Sequence, residues 1–158
     1  MSRSVLWVED DTDDAYLIGR AITKAGLDQP KLVTDGGEAV AYLSGNGKFA
    51  DRSTYPFPSL ILLDLKLPKM SGFEVLEWLR KQPELRRIPV VIFTSSNAIS
   101  DIDRAYDLGA NAYLLKSVSH QDLVEGLKRV SAFWLDLNLN PSVPSREVAL
   151  SAGASESQ

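Results

Sequence analysis

The chain of 158 residues contains no cysteine. Disulfides, thiolate metal sites and thiol nucleophiles are therefore excluded. It has a single histidine, His120, which falls near the start of the last predicted helix and reads as a surface residue, not a phosphodonor. No apolar run reaches the length of a membrane span, and no N-terminal hydrophobic signal region is visible. The expectation is a soluble cytoplasmic protein with no membrane partner. A basic stripe is also missing. The formal net charge is −4, which argues against a nucleic-acid or anionic-membrane surface. Nor does a neutral, Gly-rich phosphate loop follow the first apolar run. The Gly36-Gly37 pair reads as a turn into a helix. What remains is ordinary for one globular domain with a proper core: 44% apolar and 24% charged residues.

Against this background one segment stands out. Five of the six residues from Glu9 to Asp14 are acidic, directly after the apolar run Val5–Val8. A second apolar run, Leu60–Leu63, also ends on a carboxylate, Asp64. If the two runs are neighbouring parallel strands, Asp64 and the Glu9/Asp10 pair meet at one sheet edge. Carboxylates crowded in one crevice need either protons or a divalent cation. Mg2+ is the first candidate. Asp11, Asp13 and Asp14 read instead as residues that favour a helix start.

The rest of the chain alternates strand and helix signals. Thr12/Asp13 cap a helix whose apolar positions are Tyr16, Leu17, Ala21, Ile22 and Ala25, closed by Gly26. Lys31–Thr34 reads as a strand and Glu38–Leu43 as a helix. A polar stretch from Asn46 to Pro58 precedes the strand Leu60–Asp64. Phe73, Val75, Leu76 and Leu79 mark a helix stopped near Pro83. Pro89–Phe93 is a fourth strand. Ile99, Ile102, Ala105, Tyr106 and Leu108 mark a helix ending at Gly109. Ala112–Leu115 is a fifth strand, and Leu123, Leu127, Val130 and Trp134 share one face of the last helix. After Pro141 the chain turns Ser/Ala/Pro/Gly/Glu-rich and reads as a disordered tail. Five β-α units in order imply a parallel sheet with right-handed crossovers and helices on both faces. Ligands of such sheets bind beyond the strand C-termini. Glu9/Asp10, Asp64, Thr94/Ser95 and Lys116 all fall there.

VEDD at 8–11, DLKLPKMSG at 64–72, FTSS at 93–96 and YLLK at 113–116 resemble the receiver domain of two-component response regulators. The resemblance spans residues 4–134. It implies a flavodoxin-like, doubly wound (βα)5 fold of strand order 2-1-3-4-5, with a domain over 1–140 and a tail over 141–158. Asp64 would accept a phosphoryl group from a sensor histidine kinase. Asp10, Asp64 and the backbone carbonyl of Lys66 would bind Mg2+ directly, with Glu9 acting through water. Lys116, Thr94 and Ser95 would bind the phosphoryl group, and Thr94 and Tyr113 would form the switch. Lys66 and Ser96 sit where receivers tune dephosphorylation. One departure is Ser117, where the family usually has a cis proline; a non-proline cis bond costs about 2.5–4 kcal/mol.

The insertion at Asn46–Pro58, ELRRIPVVIFTSS at 84–96, the Lys116-Ser117 pair and FWLDL at 133–137 are similar to small receivers that serve bacterial phytochromes. Such a protein catalyses only its own phosphorylation and dephosphorylation and signals through protein contacts. Phe133, Trp134, Leu135, Leu137 and Leu139 exceed what one helix face can bury. They suggest a homodimer through the last two helices and the C-terminal extension, beside the Tyr113 face. Two other readings stay open: a pseudo-receiver acting as a phosphorylation-independent adaptor, and a small nucleotide- or flavin-binding domain.

Overall fold

A computed structural model describes residues 3–116 and 119–142. Four of its five strands are wholly apolar or nearly so, and the three central ones sit where helices cover both faces. The strands are β1 (Val5–Val8), β2 (Lys31–Val33), β3 (Leu60–Leu63), β4 (Val90–Thr94) and β5 (Ala112–Leu115). All pair in parallel in the order β2-β1-β3-β4-β5. The helices are α1 (Thr12–Lys24), α2 (Gly36–Ser44), α3 (Gly72–Arg80), α4 (Ile99–Asp107) and α5 (His120–Val130). The expected doubly wound fold and strand order are therefore observed.

Alternating strand residues feed two cores, because successive side chains point to opposite faces. Leu6, Val8, Ile61, Leu63, Val90 and Ile92 pack with α2, α3 and α4. Val5, Trp7, Leu60, Leu62, Val91 and Phe93 pack with α1 and α5. Each central strand is buried on both faces, which explains why its sequence shows no polar alternation. The backbone register puts Val8 beside Leu63 and Thr94 beside Leu115. Residues 9, 64, 95 and 116 therefore emerge along one edge.

Several sequence expectations need correction. The α1 cap is Asp11, whose side chain accepts from the Asp14 amide, not Thr12 or Asp13. Its buried face is Ile18, Ala21 and Ile22, while Tyr16 and Leu17 are exposed. At 100° per residue, a stripe through 18, 21 and 22 leaves 16 and 17 outside it. On α4 only Ala105 is buried; Ile99 and Tyr106 are exposed. Helix α2 starts at Gly36, two residues early, because Asp35 caps it through the Glu38 amide. The stretch 46–58 is less polar than it reads. Phe49 and Tyr55 pack with Tyr42, and Arg52 donates to the carbonyls of Tyr42, Leu43 and Tyr55, satisfying the end of α2.

The last helix does not run on regularly through Trp134. It passes into a π-helical segment, Ser131–Leu137. Trp134 and Leu135 pack on the α1/α5 core, whereas Tyr113 packs on the opposite one. The surplus apolar residues are thus not beside the Tyr113 side chain, as the sequence suggested. Phe133, Leu137 and Leu139 remain exposed. The Lys116–Ser117 peptide, and the expected tail from residue 143 onward, lie outside the described residues.

Candidate functional site

The strand order reverses between β1 and β3, which is where an open α/β sheet leaves a crevice at its C-terminal edge. Strand pairing carries past both strand ends: the Glu9 amide donates to the Val33 carbonyl, and the Asp64 amide donates to the Val8 carbonyl. The backbone thus drives two acidic side chains into neighbouring positions. Glu9 is 1% exposed and Asp64 7%. Carboxylate oxygens of Glu9, Asp10 and Asp64 lie within 4.8 Å of one another.

Lys116 enters from the far side. Its amide donates to the Thr94 carbonyl at 2.7 Å, which fixes the backbone one residue past β5. The side chain then crosses β4 to reach Asp64 Oδ2 at 2.7 Å. Two strand spacings are about 10 Å, a reach only a long side chain has. The other Asp64 oxygen, Oδ1, accepts from the Leu65 amide at 2.7 Å. The Lys116 Nζ also lies 2.5 Å from Glu9 Oε1. That approach does not have the direction of a hydrogen bond, so Oε1 is a buried acceptor without a hydrogen-bonded partner. Glu9 Oε2 accepts from the Asp11 amide at 3.3 Å.

A third carboxylate meets the lysine. Asp14 Oδ2 is 3.0 Å from Nζ. The sequence placed Asp14 only at a helix start, and its part in the pocket was missed. A clue was available: with the helix starting after Asp11, residue 14 falls in the first turn, whose side chains lean back toward the strand edge.

Three carboxylates, those of Glu9, Asp14 and Asp64, thus face one ammonium, and a fourth, that of Asp10, clusters with Glu9 and Asp64. Burial pushes the Glu9 carboxyl up to about 7; the Asp64 charge adds to this, while Lys116 and the Asp11 amide oppose it. Burial alone would lower the Lys116 ammonium, but contacts with Asp64, Glu9 and Asp14 outweigh it and hold it above its usual range. The donor set fits a hard divalent cation. It is all oxygen, it carries excess negative charge after Lys116 is counted, and it includes a buried acceptor that receives no hydrogen bond.

The Glu9 shift makes a prediction. Its folded pKa lies above its unfolded value, so its contribution is fully present below about 4.5 and is lost as pH rises through about 7. In buffer without divalent cations, stability should fall by about 2–3 kcal/mol between pH 5 and pH 8. Glu9→Gln should remove most of that slope in urea unfolding at the two pH values. An unchanged slope would contradict the assignment.

The remaining expected residues lie on β4, β5 and the loops that follow β3 and β4. Thr94 is the buried last residue of β4, and Ser95 follows it, exposed. The Tyr113 hydroxyl donates to the Ser96 carbonyl at 2.8 Å, so the aromatic already touches the loop after β4. Ser96 Oγ donates to Asp101 Oδ2 at 2.6 Å, which ties that loop to α4. Lys66 is exposed in the loop after β3.

A doubly wound parallel α/β domain with an acidic pocket at its switch point, and a lysine bound to the pocket's central carboxylate, defines the class. Residues 5–128 match the response regulator receiver domain, and the chain belongs to that family. The chain is 38% identical over 133 residues to the response regulator Rcp1 of Synechocystis sp., covering 84% of this chain and 88% of that protein. The crystal structure of the phosphorylated cyanobacterial phytochrome response regulator RcpA superposes with a TM-score of 0.78 at 39% identity, covering 90% of this chain and all of that one. A Mn(2+)-bound structure of Rcp1 superposes with a TM-score of 0.75 at 36% identity, over 89% of this chain and all of that one.

Proposed function

We propose that this receiver takes up one phosphoryl group on Asp64 in a Mg2+-dependent reaction, with a sensor histidine kinase as donor. The observation that carries the reading is the Lys116–Asp64 contact at 2.7 Å inside a pocket shared with Glu9 and Asp10. An Asp64 oxygen attacks phosphorus, the Oδ–P bond forms, and the P–N bond to the donor imidazole breaks. A carboxylate is a workable covalent acceptor. Asp10, Asp64 and the Lys66 carbonyl would hold the cation, with Glu9 through water. When bound, the cation offsets charge on the transferring group. Mg2+ is favoured over softer metals because every donor is oxygen.

Lys116 supplies a fixed positive charge to a phosphoryl oxygen, and Thr94 and Ser95 supply donors on the β4 side. Tyr113 is the switch aromatic. Its hydroxyl reaches Ser96, two residues past Thr94, so movement of Thr94 toward the phosphoryl group is felt at that hydrogen bond. The signal then leaves by altered protein contacts. The domain over 1–140 works on no substrate but its own phosphoryl group.

A phytochrome-type kinase is the favoured donor, because RcpA, which this chain resembles, is a phytochrome response regulator. No helix among the described residues is long and apolar enough to cross a membrane. Exposed Phe133, Leu137 and Leu139 support self-association through the C-terminal extension. Sedimentation at tens of micromolar should give a dimer mass, shifted to monomer by Phe133→Asp with Leu137→Asp. A monomer mass for the wild type, with and without phosphorylation, would refute the dimer.

The test of the main reading is incubation with acetyl phosphate. The intact mass should rise by one phosphoryl with Mg2+ and stay unchanged with chelator or in Asp64→Asn. An unchanged wild-type mass in every condition would favour a phosphorylation-independent adaptor.

A further inference from the structure

The ammonium of Lys116 has three N–H donors and no acceptor. In this pocket it faces three carboxylates: Asp64 at 2.7 Å, Glu9 at 2.5 Å and Asp14 at 3.0 Å. The Asp64 and Asp14 contacts are hydrogen bonds and engage two of the three donors, while the Glu9 contact is an ion pair without hydrogen-bond direction. Turning Lys116 toward an incoming phosphoryl oxygen loosens these contacts. The Asp64 contact passes to the phosphoryl group as the Oδ–P bond forms and the negative charge moves onto the phosphoryl oxygens. Glu9 is buried, so separating it from the lysine would leave it either charged in a dry site or forced to take up a proton. Asp14 differs from both. Its side chain is 40% exposed, against 8% for Lys116, so water can replace the lysine as its partner. It also lies between the buried ammonium and solvent on the α1 side.

We infer that Asp14 is a positioning residue that holds Lys116 on the α1 side of the pocket before phosphorylation and slows phosphoryl uptake at Asp64. This rests on the reading of Asp64 as the acceptor. Two effects act in the same direction. The Asp14 contact engages one Lys116 donor and shares its positive charge. The Asp14 charge also repels an anionic donor at the solvent side of the site. Asp13, one position earlier in α1, is exposed, and the Lys116 ion pairs are to Glu9, Asp14 and Asp64, so the effect is assigned to position 14.

The experiment compares wild type, Asp14→Asn, Asp14→Glu and Asp13→Asn. Each is treated with acetyl phosphate at saturating Mg2+, and uptake is followed by intact mass. In this reaction the Oδ–P bond forms, the P–O bond to the acetyl group breaks, and acetate leaves with the electron pair. Mg2+ midpoints are measured separately, so that weaker metal binding cannot mask a faster reaction. Asp14→Asn should react about fivefold to tenfold faster, the size expected from removing one unit charge several ångströms from the reacting group in a partly solvated site. Asp14→Glu and Asp13→Asn should stay near wild type. High salt should shrink the Asp14→Asn difference, because the removed charge is partly exposed.

A residue that only starts α1 would instead show a lower Tm in Asp14→Asn with no gain in rate. A rate for Asp14→Asn equal to or below that of wild type at saturating metal would overturn the inference. A wild type that takes up no phosphoryl group at all would overturn the acceptor reading, and this inference with it.

Discussion

Lys116→Met should unfold at lower urea than wild type, with a loss of about 2–4 kcal/mol at pH 8 without divalent cations. Removing one partner of a buried ion pair typically costs about 3–5 kcal/mol, because it leaves the other charge uncompensated. Here Glu9, Asp14 and Asp64 would lose their shared ammonium together. The discount arises because Glu9, already pushed up to about 7, can take up a proton. The loss should therefore shrink at pH 5 and on adding Mg2+, which is how this mechanism differs from a simple packing defect. Methionine keeps much of the stem, so apolar contacts are largely retained. Phosphoryl uptake should slow about 10²–10³-fold, the usual effect of removing one fixed electrostatic stabiliser. A variant as stable as wild type at both pH values would contradict the charge balance described here.

The second large effect concerns a residue with no side chain. A Cβ on Gly72 would lie 2.1 Å from the Asp64 carbonyl oxygen and 2.8 Å from Leu65 Cα. Both are backbone atoms, so no rotamer change can relieve the clash. The Gly72 amide also donates to the Leu65 carbonyl at 2.9 Å, which locks the two segments together. Gly72→Ala should cost about 3 kcal/mol, the upper part of the range for overpacking. It should also displace Asp64 and depress phosphoryl uptake. Gly19 in α1 provides the control. Nothing lies within 4 Å of its would-be Cβ, so Gly19→Ala should stabilise by about 0.5–1 kcal/mol. Equal stabilities for the two variants would contradict the close approach at residue 72.

That glycine also shows where sequence reading stops. The pocket itself was legible, because Glu9, Asp64 and Lys116 each follow an apolar strand and parallel order brings strand ends together. The contact of Gly72 with the Asp64 backbone was not, since loop residues carry no periodicity that reveals a close approach. The Asp14–Lys116 contact was missed for a related reason. Its role depends on where α1 begins, and an acidic run offers several equal caps. Tyr16 and Leu17 misled in the same helix, because an apolar residue count fixes the helix but not its rotation. The C-terminal extension was read as a regular helix, and only its π-helical segment shows why Phe133 and Leu137 stay exposed while Trp134 packs inward.

The most direct test of the central claim is to locate the phosphoryl group. Borohydride reduces an aspartyl phosphate to homoserine and leaves free carboxylates intact. After treatment with acetyl phosphate and Mg2+, reduction and digestion, homoserine is expected at position 64, and aspartate there in a chelator control. Aspartate retained at 64, or homoserine at Asp10 or Asp14 instead, would contradict it.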